Sequence, residues 1–173
     1  KTRPIINLGS DNMAQKELVI KTLNDMNINF KEVKHQAVWT TEEADKVIQG
    51  MEGVPSKTLF LAGKKNRRFY LIIMDDKKRL DFKKISEITD DRMHFASKEQ
   101  LKNKLGLVPG MVSLFGLINN QDHDIEIYID KALLEEKYIT FHPNDNTATF
   151  FITMEHAFKF IVNLNYQYHL VEL

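Results

Sequence analysis

Lys57 is the residue in the first half of the sequence whose position most favours chemistry. It ends the segment 53–57 (GVPSK) and leads into an apolar run that is typical of a buried strand. Alternation along a strand places Lys57 on the same face as Leu59 and Leu61, so its stem crosses apolar surface toward a pocket. A lysine there binds a phosphate or, when desolvated, changes its pKa; the alternative is an edge lysine that extends to water.

The segment 105–116 (LGLVPGMVSLFG) is a second candidate for chemistry. Three glycines and one proline lie among apolar residues, which makes the segment too apolar for a simple surface connection. Glycines let a backbone approach a ligand closely, so the amides of this loop are candidate ligand contacts. The alternative is a buried crossover in which the glycines only permit tight packing.

His142, at the mouth of a predicted hairpin, is a third candidate. On its strand it shares a face with Tyr138 and Thr140, whereas the residues between them point to the other side. His142 therefore ends a semi-polar stripe where a site can form, although a lone histidine is more often a turn residue. Residues 35–40 (HQAVWT) give a weaker signal of a cleft lining.

Hydrophobic periodicity predicts the elements that must position these segments. The run 69–74 (FYLIIM) is apolar on both faces and predicts a central strand, whereas 125–130 alternates and predicts a strand with one buried face. In the first half of the chain we predict a helix over 12–26, a strand over 30–35, a helix from a Thr40 cap to about 50–53, and a hairpin of 58–62 and 69–74. Helices over 81–89 and 97–104 follow, with a strand at 93–96 between them. The rest is predicted to be a strand over 125–129, a hairpin of 138–142 and 147–152, a helix over 157–164 and a strand over 168–173.

This order of elements predicts an α+β fold in which helices pack on a single mixed, largely antiparallel sheet. Residues 1–11 mix charge with Pro4 and Gly9 without periodicity, so we expect an N-terminal tail or linker there and one domain over 12–173.

Charge limits how such a domain binds a polyanion. The 24 Lys and Arg residues balance the 24 Asp and Glu residues, which argues against binding through bulk positive charge. The balance is not uniform, because residues 64–84 hold nine basic and three acidic side chains, and residues 120–155 hold eight acidic and two basic ones. A polyanion can dock on the first stretch, or both stretches are ordinary solvated faces.

Several kinds of site are excluded by composition. The chain has no cysteine, which rules out disulfides, thiolate zinc sites and a cysteine nucleophile. Its six histidines never occur at the spacing of a helical metal site, and the nucleophile-elbow, phosphate-loop and dinucleotide motifs are missing. We therefore expect no metal and no other cofactor. No apolar run approaches the roughly 18–20 residues of a membrane span, and we expect a cytoplasmic protein.

Six segments occur in the order and at the spacing of a known family. They are residues 35–40 (HQAVWT), 57–61 (KTLFL), 92–97 (RMHFAS), 105–110 (LGLVPG), 115–117 (FGL) and 142–149 (HPNDNTAT). On these segments the chain resembles the YbaK/aminoacyl-tRNA deacylase superfamily, and most closely its prolyl-tRNA editing branch. No single segment is specific, whereas the six together are, and the likeness runs from about residue 12 to the C-terminus.

The resemblance implies a hydrolase that clears alanine wrongly attached to proline tRNA. Proline synthetases cannot fully exclude alanine, because a smaller amino acid loses only a methylene or two of binding energy, and a second pocket then hydrolyses the mistake. The implied partners are mischarged tRNA(Pro), held by its acceptor end, and prolyl-tRNA synthetase in cis or in trans. The sequence leaves open whether the domain is freestanding or fused.

The resemblance also implies roles for individual residues. Lys57 anchors the tRNA 3′ end and His142 matches the family's pocket histidine, which makes these two the candidate catalytic residues. No protein nucleophile is implied, since the terminal ribose hydroxyl and backbone groups position water at the ester. The candidate substrate-binding residues are His35, Trp39, Thr40, Thr58, Gly110, Met111, Val112, Ser113 and Phe115, and the candidate tRNA-binding residues are Lys64, Lys65, Arg67 and Arg68.

Two positions depart from the family pattern. Thr58 stands where the family usually has Asn, and it keeps a hydroxyl but loses the reach of the amide. Leu114 stands where the family's Gly-x-x-x-Pro loop has proline, which relaxes a fixed backbone dihedral angle. These departures motivate a non-catalytic tRNA-binding or regulatory module of the same fold as an alternative. Editing of another amino acid, such as serine or cysteine, is a further alternative.

Overall fold

The strands of this protein form two sheets that share one hydrophobic core. The computed structural model describes residues 8–51, 53 and 55–173. The helices are α1 (Leu8–Asp25), α2 (Thr41–Val47), α3 (Phe82–Thr89), α4 (Lys98–Leu105) and α5 (Met154–Asn163). The strands are β1 (Lys31–Lys34), β2 (Ser56–Gly63), β3 (Phe69–Asp75), β4 (Met93–Phe95), β5 (Ile125–Asp130), β6 (Ile139–Phe141), β7 (Ala148–Ile152) and β8 (Tyr168–Val171), with 3₁₀ turns over Leu114–Asn119 and Lys131–Glu135.

The larger sheet has five strands in the order β4-β2-β3-β5-β8. β2 pairs antiparallel with β3 and β4, while β5 pairs parallel with β3 and β8. Every residue from Phe69 to Met74 is buried, because apolar clusters cover both faces, and the predicted central strand is confirmed. The prediction of a single buried face on β5 is wrong, since Tyr128 and Asp130 are buried as well. β5 lies between two strands of a sheet that is covered on both sides.

The smaller sheet, in the order β1-β7-β6, is antiparallel throughout and ends at an unusual buried turn. Asp145 Oδ1 in this turn accepts a hydrogen bond from the amide of Thr147 at 2.8 Å. Asn146 makes two hydrogen bonds to the backbone of Val38. Its side-chain Nδ2 donates to the Val38 oxygen at 3.0 Å, and its backbone oxygen accepts from the Val38 amide at 3.1 Å. The β6–β7 turn therefore holds the segment before α2 in place.

The predicted α+β class is confirmed, with the strands divided between two sheets rather than gathered in one. α1 begins at Leu8, so residues 8–11 of the predicted tail are helical. Polar residues without periodicity can still extend a helix. Residues 1–7 of the predicted tail lie outside the described residues. Both predicted helix starts form complete capping boxes, at Thr40 and at Ser97. Over the described part of the chain, no helix has the length and apolar character that crossing a membrane requires.

Phe115 joins the smaller sheet to α5 within the core. It is fully buried, and its ring meets those of Phe141, Phe150 and Phe160 at centroid distances of 5.7, 6.1 and 5.3 Å, near the edge-to-face geometry. We expect Phe115→Ala to lower the free energy of unfolding by about 3–5 kcal/mol, because a cavity replaces the ring. Chemical denaturation measures this loss.

Val162→Ala is the control for that experiment. Val162 lies on α5 and is 55% exposed, so its truncation should change the free energy of unfolding by less than about 0.5 kcal/mol. Equal losses in the two variants would contradict the central position of Phe115.

Candidate active site

A cavity of about 420 Å³ lies at the junction of the two sheets, where β2 passes β6. Its volume is within the range of small-ligand sites. The walls come from the start of β2, the end of β6, the segment 38–48 that includes α2, and the segment 95–112. The predicted site residues that the structure brings together in these walls are Trp39, Thr40, Lys57, Thr58, Gly110, Val112 and His142.

The wall formed by β2 is an unpaired strand edge. Alternate residues of a strand direct their backbone groups to the same side. On the side away from β3, the Ser56 amide donates to Thr140 Oγ1 at 3.3 Å, and the Phe60 oxygen accepts from the Ala96 amide at 3.0 Å. Thr58 lies between these two bonds, and its N–H and C=O have no partner among the described residues. The cavity therefore offers a backbone donor and a backbone acceptor to a ligand.

Lys57 lies on the opposite face of β2 from Thr58, with Leu59 and Leu61, as its alternation predicted. Its ammonium group donates to the backbone oxygen of Lys78, in the turn that follows β3. An ammonium group has three donors. No second partner occurs among the described residues, so two donors of the ammonium group remain, and Lys57 is one of the residues that line the cavity.

His142 is held in one tautomer by its backbone contact. Its Nδ1 lies 3.0 Å from the oxygen of Ala148, and because a carbonyl only accepts, this nitrogen carries the proton. Burial lowers the pKa of His142, and the nearby His35 ring, 6.3 Å away between centroids, acts in the same direction. The imidazole is therefore uncharged at neutral pH, which leaves Nε2 as an acceptor for a cavity ligand.

His35 stands behind the cavity rather than in its wall. Its Nδ1 contacts the oxygen of Gln36 at 2.7 Å, and its Nε2 contacts Thr149 Oγ1 at 2.9 Å. Thr149 does line the cavity. With both ring nitrogens engaged, His35 orients Thr149 and packs beside His142.

The loop after α4 contributes backbone more than side chains. Gly110 has a φ of +86°, a conformation that favours glycine, and a Cβ at this position would lie 3.4 Å from the backbone oxygen of Trp39. Ser113 Oγ accepts from the Phe115 amide at 3.2 Å and caps the 3₁₀ turn. The structure places the remaining predicted loop residues in the core and outside the cavity wall: Met111, Ser113 and Phe115.

The predicted tRNA-binding residues separate into two groups. The Arg68 guanidinium group makes two bonds of 2.9 Å to the Glu126 carboxylate, which raises the pKa of Arg68, and it also donates to the oxygen of Thr89 at 3.2 Å. Arg68 is therefore held by intramolecular bonds, although its side chain is still 44% exposed. The other three are exposed in the β2–β3 turn, about 23 Å along the strand from Thr58: Lys64, Lys65 and Arg67.

The sequence reasoning missed most residues of the cavity wall, and three of these bear on the chemistry of the site. Phe95, Lys98 and Asp45 line the cavity, and Phe95 is 59% exposed. Phe95 falls within the segment 92–97 that carried the family resemblance. Alternation alone does not distinguish an exposed aromatic on an edge strand from a buried one, since both occupy apolar positions.

Asp45 has a buried acidic neighbour beneath the cavity wall. Both carboxylate oxygens of Asp76 are shut off from solvent. Burial, together with the neighbouring carboxyl group of Asp45 and that of Asp75, raises the pKa of Asp76 to about 7.

Within the described ranges, no group of three or more His, Cys, Asp or Glu side chains is placed to hold a metal ion. A cavity with largely apolar walls, bordered by an unpaired strand edge, a lysine and an uncharged histidine, can bind and orient a small ligand group. The fold and this cavity together define the class: an α+β domain with a ligand-sized cavity between its two sheets.

Comparison with known proteins identifies the family. The model of the aminoacyl-tRNA editing domain matches residues 35–160. Prolyl-tRNA editing protein ProX of Acetoanaerobium sticklandii is 34% identical over 151 residues, which cover 86% of this chain and 92% of that protein. Prolyl-tRNA synthetase associated domain-containing protein 1 of Bos taurus is 28% identical over 141 residues, covering 79% of this chain and 82% of that protein. This chain belongs to the aminoacyl-tRNA editing domain family.

Solved structures agree on the fold. A structure described as a candidate trans-editing enzyme for prolyl tRNA synthetase has a TM-score of 0.73 at 20% identity, covering 92% of this chain and 97% of that one. The resemblance inferred from sequence is therefore confirmed, as is the prediction of an aminoacyl-tRNA deacylase.

The pKa of Asp76 predicts how stability depends on pH. The folded protein keeps a proton on Asp76 between about pH 4 and pH 7 that the unfolded chain releases, so this group lowers stability as pH rises through that range. We expect Asp76→Asn to raise the free energy of unfolding at pH 8 by about 1–2 kcal/mol, allowing for solvent screening, and to leave it nearly unchanged at pH 4.

Asp90→Asn is the matched control, because Asp90 is exposed and has a left-handed φ of 53° that asparagine also adopts. Denaturation curves of both variants at the two pH values give the comparison. A gain for Asp76→Asn that is equal at pH 4 and pH 8 would contradict the raised pKa.

Proposed function

We propose that this chain hydrolyses the ester of misacylated tRNA(Pro), and that alanine is the amino acid it removes. The observation that carries the proposal is the unpaired edge of β2 at Thr58, beside Lys57 and His142, in a cavity of about 420 Å³. The similarity to ProX, a prolyl-tRNA editing protein at 34% identity, supports proline tRNA as the substrate. The similarity to the Bos taurus prolyl-tRNA synthetase associated protein supports prolyl-tRNA synthetase as a partner.

The reaction requires no covalent bond between protein and substrate. The oxygen of a water molecule adds to the carbonyl carbon of the ester, the bond from that carbon to the terminal ribose oxygen breaks, and a proton from the water ends on that oxygen. The products are the free amino acid and a tRNA with its hydroxyl restored. Negative charge develops on the carbonyl oxygen during addition and needs a hydrogen-bond donor. The unpaired amide of Thr58 is such a donor in this cavity.

Lys57 and His142 then have separate roles. The two remaining donors of the Lys57 ammonium group suit the phosphate of the terminal nucleotide, which fixes the position of the ester. Nε2 of His142 accepts a hydrogen bond from the attacking water or from the terminal ribose hydroxyl and orients it. The exposed cations of the β2–β3 turn meet the acceptor stem, at a distance from the cavity.

The choice of alanine as the amino acid removed rests on the apolar part of the cavity wall. Val112, Leu101 and Phe141 provide apolar surface that suits a methyl group. Serine and cysteine are of similar size, so they are the competing substrates. Leu114, one of the departures that motivates a non-catalytic module, is fully buried in the core outside the cavity wall, which favours retained activity.

Replacement of Lys57 tests the anchoring role. Lys57→Ala should lower kcat/KM for Ala-tRNA(Pro) roughly a hundredfold or more, because two charge-assisted hydrogen bonds of about 1.5–3 kcal/mol each are lost. Lys21→Ala, at an exposed ion pair on α1, is the control that removes a lysine elsewhere. Full activity of a folded Lys57→Ala protein would contradict the proposal.

The pH profile of deacylation tests the role of His142. Because the pKa of His142 is lowered, its Nε2 stays unprotonated as pH falls past the ordinary histidine value of about 6.5. We expect log kcat/KM to stay level down to about pH 6.5 and to decline only below it. His142→Gln should remove this decline. A decline centred above pH 6.5, or one that survives in His142→Gln, would show that another group titrates.

A further inference from the structure

Two aromatic side chains stand exposed on the rim of the cavity. Trp39 is 61% exposed and Phe95 is 59% exposed, and both line the cavity from different segments of the chain. Large aromatic side chains are usually buried, because each removes much apolar area from water. A pair of them at the mouth of one cavity therefore points to a ligand group with a flat apolar face.

Both side chains are held in place before a ligand arrives. The Trp39 amide donates to Glu43 Oε2 at 2.8 Å, within the capping box of α2, and its ring packs against Gly110. Phe95 meets the Phe82 ring edge to face at a centroid distance of 5.5 Å. Pre-ordered aromatic faces bind at a low cost in conformational entropy.

We propose that Trp39 and Phe95 form a stacking subsite for the unpaired base of the terminal nucleotide of an RNA. The identity of that RNA as a tRNA acceptor end rests on the proposed function. Every nucleobase has a flat face, so stacking on aromatic side chains binds single-stranded RNA without reading its sequence. The base is thereby fixed at the rim while its ribose reaches the edge of β2.

The cavity wall carries two lysines against the single carboxylate of Asp45, and this balance favours a nucleotide over an apolar peptide. Lys98, exposed on the same rim, begins α4 three residues after Phe95. Lys57 lines the cavity with two ammonium donors left for an anion. A base that stacks on the aromatic pair carries its phosphate into reach of these cations, whereas an apolar peptide leaves them without a counterion.

Trp39 is the only tryptophan in the chain, so its fluorescence reports directly on this subsite. The probe is an uncharged RNA hairpin that ends in the single-stranded sequence CCA, compared with the same hairpin carrying an abasic terminal nucleotide. We expect the complete hairpin to quench Trp39, and the abasic one to bind roughly tenfold more weakly.

Variants of Phe95 make the test specific for stacking. Phe95→Ala should weaken binding of the complete hairpin roughly tenfold. It should leave binding of the abasic hairpin unchanged, because that hairpin has no terminal base for Phe95 to contact. Phe95→Tyr keeps an aromatic face and should restore binding, whereas Phe95→Leu should not. Val162→Ala, which removes exposed apolar surface on α5, is the matched control. Thermal melting confirms that each variant is folded.

The outcomes separate this subsite from the proposed function. Equal weakening of both hairpins by Phe95→Ala, or none, would overturn the stacking subsite, even if the unaltered protein deacylates Ala-tRNA(Pro). Unchanged binding of both hairpins to Phe95→Ala is also the result expected if the aromatic pair binds an apolar protein partner. Base-dependent quenching without hydrolysis of any aminoacyl-tRNA would support the subsite and overturn the proposed function.

Discussion

The unpaired edge of β2 is the constraint on which the rest of the site depends. On its outer side, β2 is bonded to the smaller sheet at Ser56 and to the segment after β4 at Phe60, and the interval at Thr58 is left open. Buried backbone groups without a partner cost about 1–3 kcal/mol each, so this interval must be hydrated or filled by a ligand. Unpaired edges also invite wrong pairing. Here the two flanking attachments leave a gap too short for another strand.

The surrounding elements form walls around that gap. The buried β6–β7 turn binds the backbone of Val38 and so places the Trp39 segment. The capped 3₁₀ turn at Ser113 fixes the loop that begins at Gly110. Phe115, two residues after Ser113, packs against β6 and α5 and so attaches this loop to the core. A pre-formed site suits a reaction in which the protein only orients water and ester.

The proposed function requires a protein that binds the end of an RNA, and the charge of this chain is consistent with that. The chain is neutral, and Arg68, which belongs to its most basic stretch, is paired with Glu126 at the surface. An RNA held only by its end offers few phosphates to neutralise, so the affinity should depend only weakly on salt. Stacking and a lysine anchor at the cavity are consistent with such a mode of binding.

Much of this could be predicted from the sequence, because the relevant signals are local. The capping boxes at Thr40 and Ser97, the central strand β3 and the face occupied by Lys57 all follow from patterns within a few residues. The division into two sheets, the second buried face of β5 and the pairing of Arg68 depend on contacts between distant segments. The exposure of Phe95 is of the same kind, since only the tertiary fold leaves that edge-strand position uncovered.

The most direct test of the central claim is a panel of deacylation rates on tRNA(Pro) charged in turn with alanine, serine, cysteine and proline. The proposed function predicts hydrolysis of Ala-tRNA(Pro) at a rate well above the others, with Pro-tRNA(Pro) left intact. Binding of tRNA(Pro) without hydrolysis of any of the four would contradict it, and would show that the fold serves as a binding module.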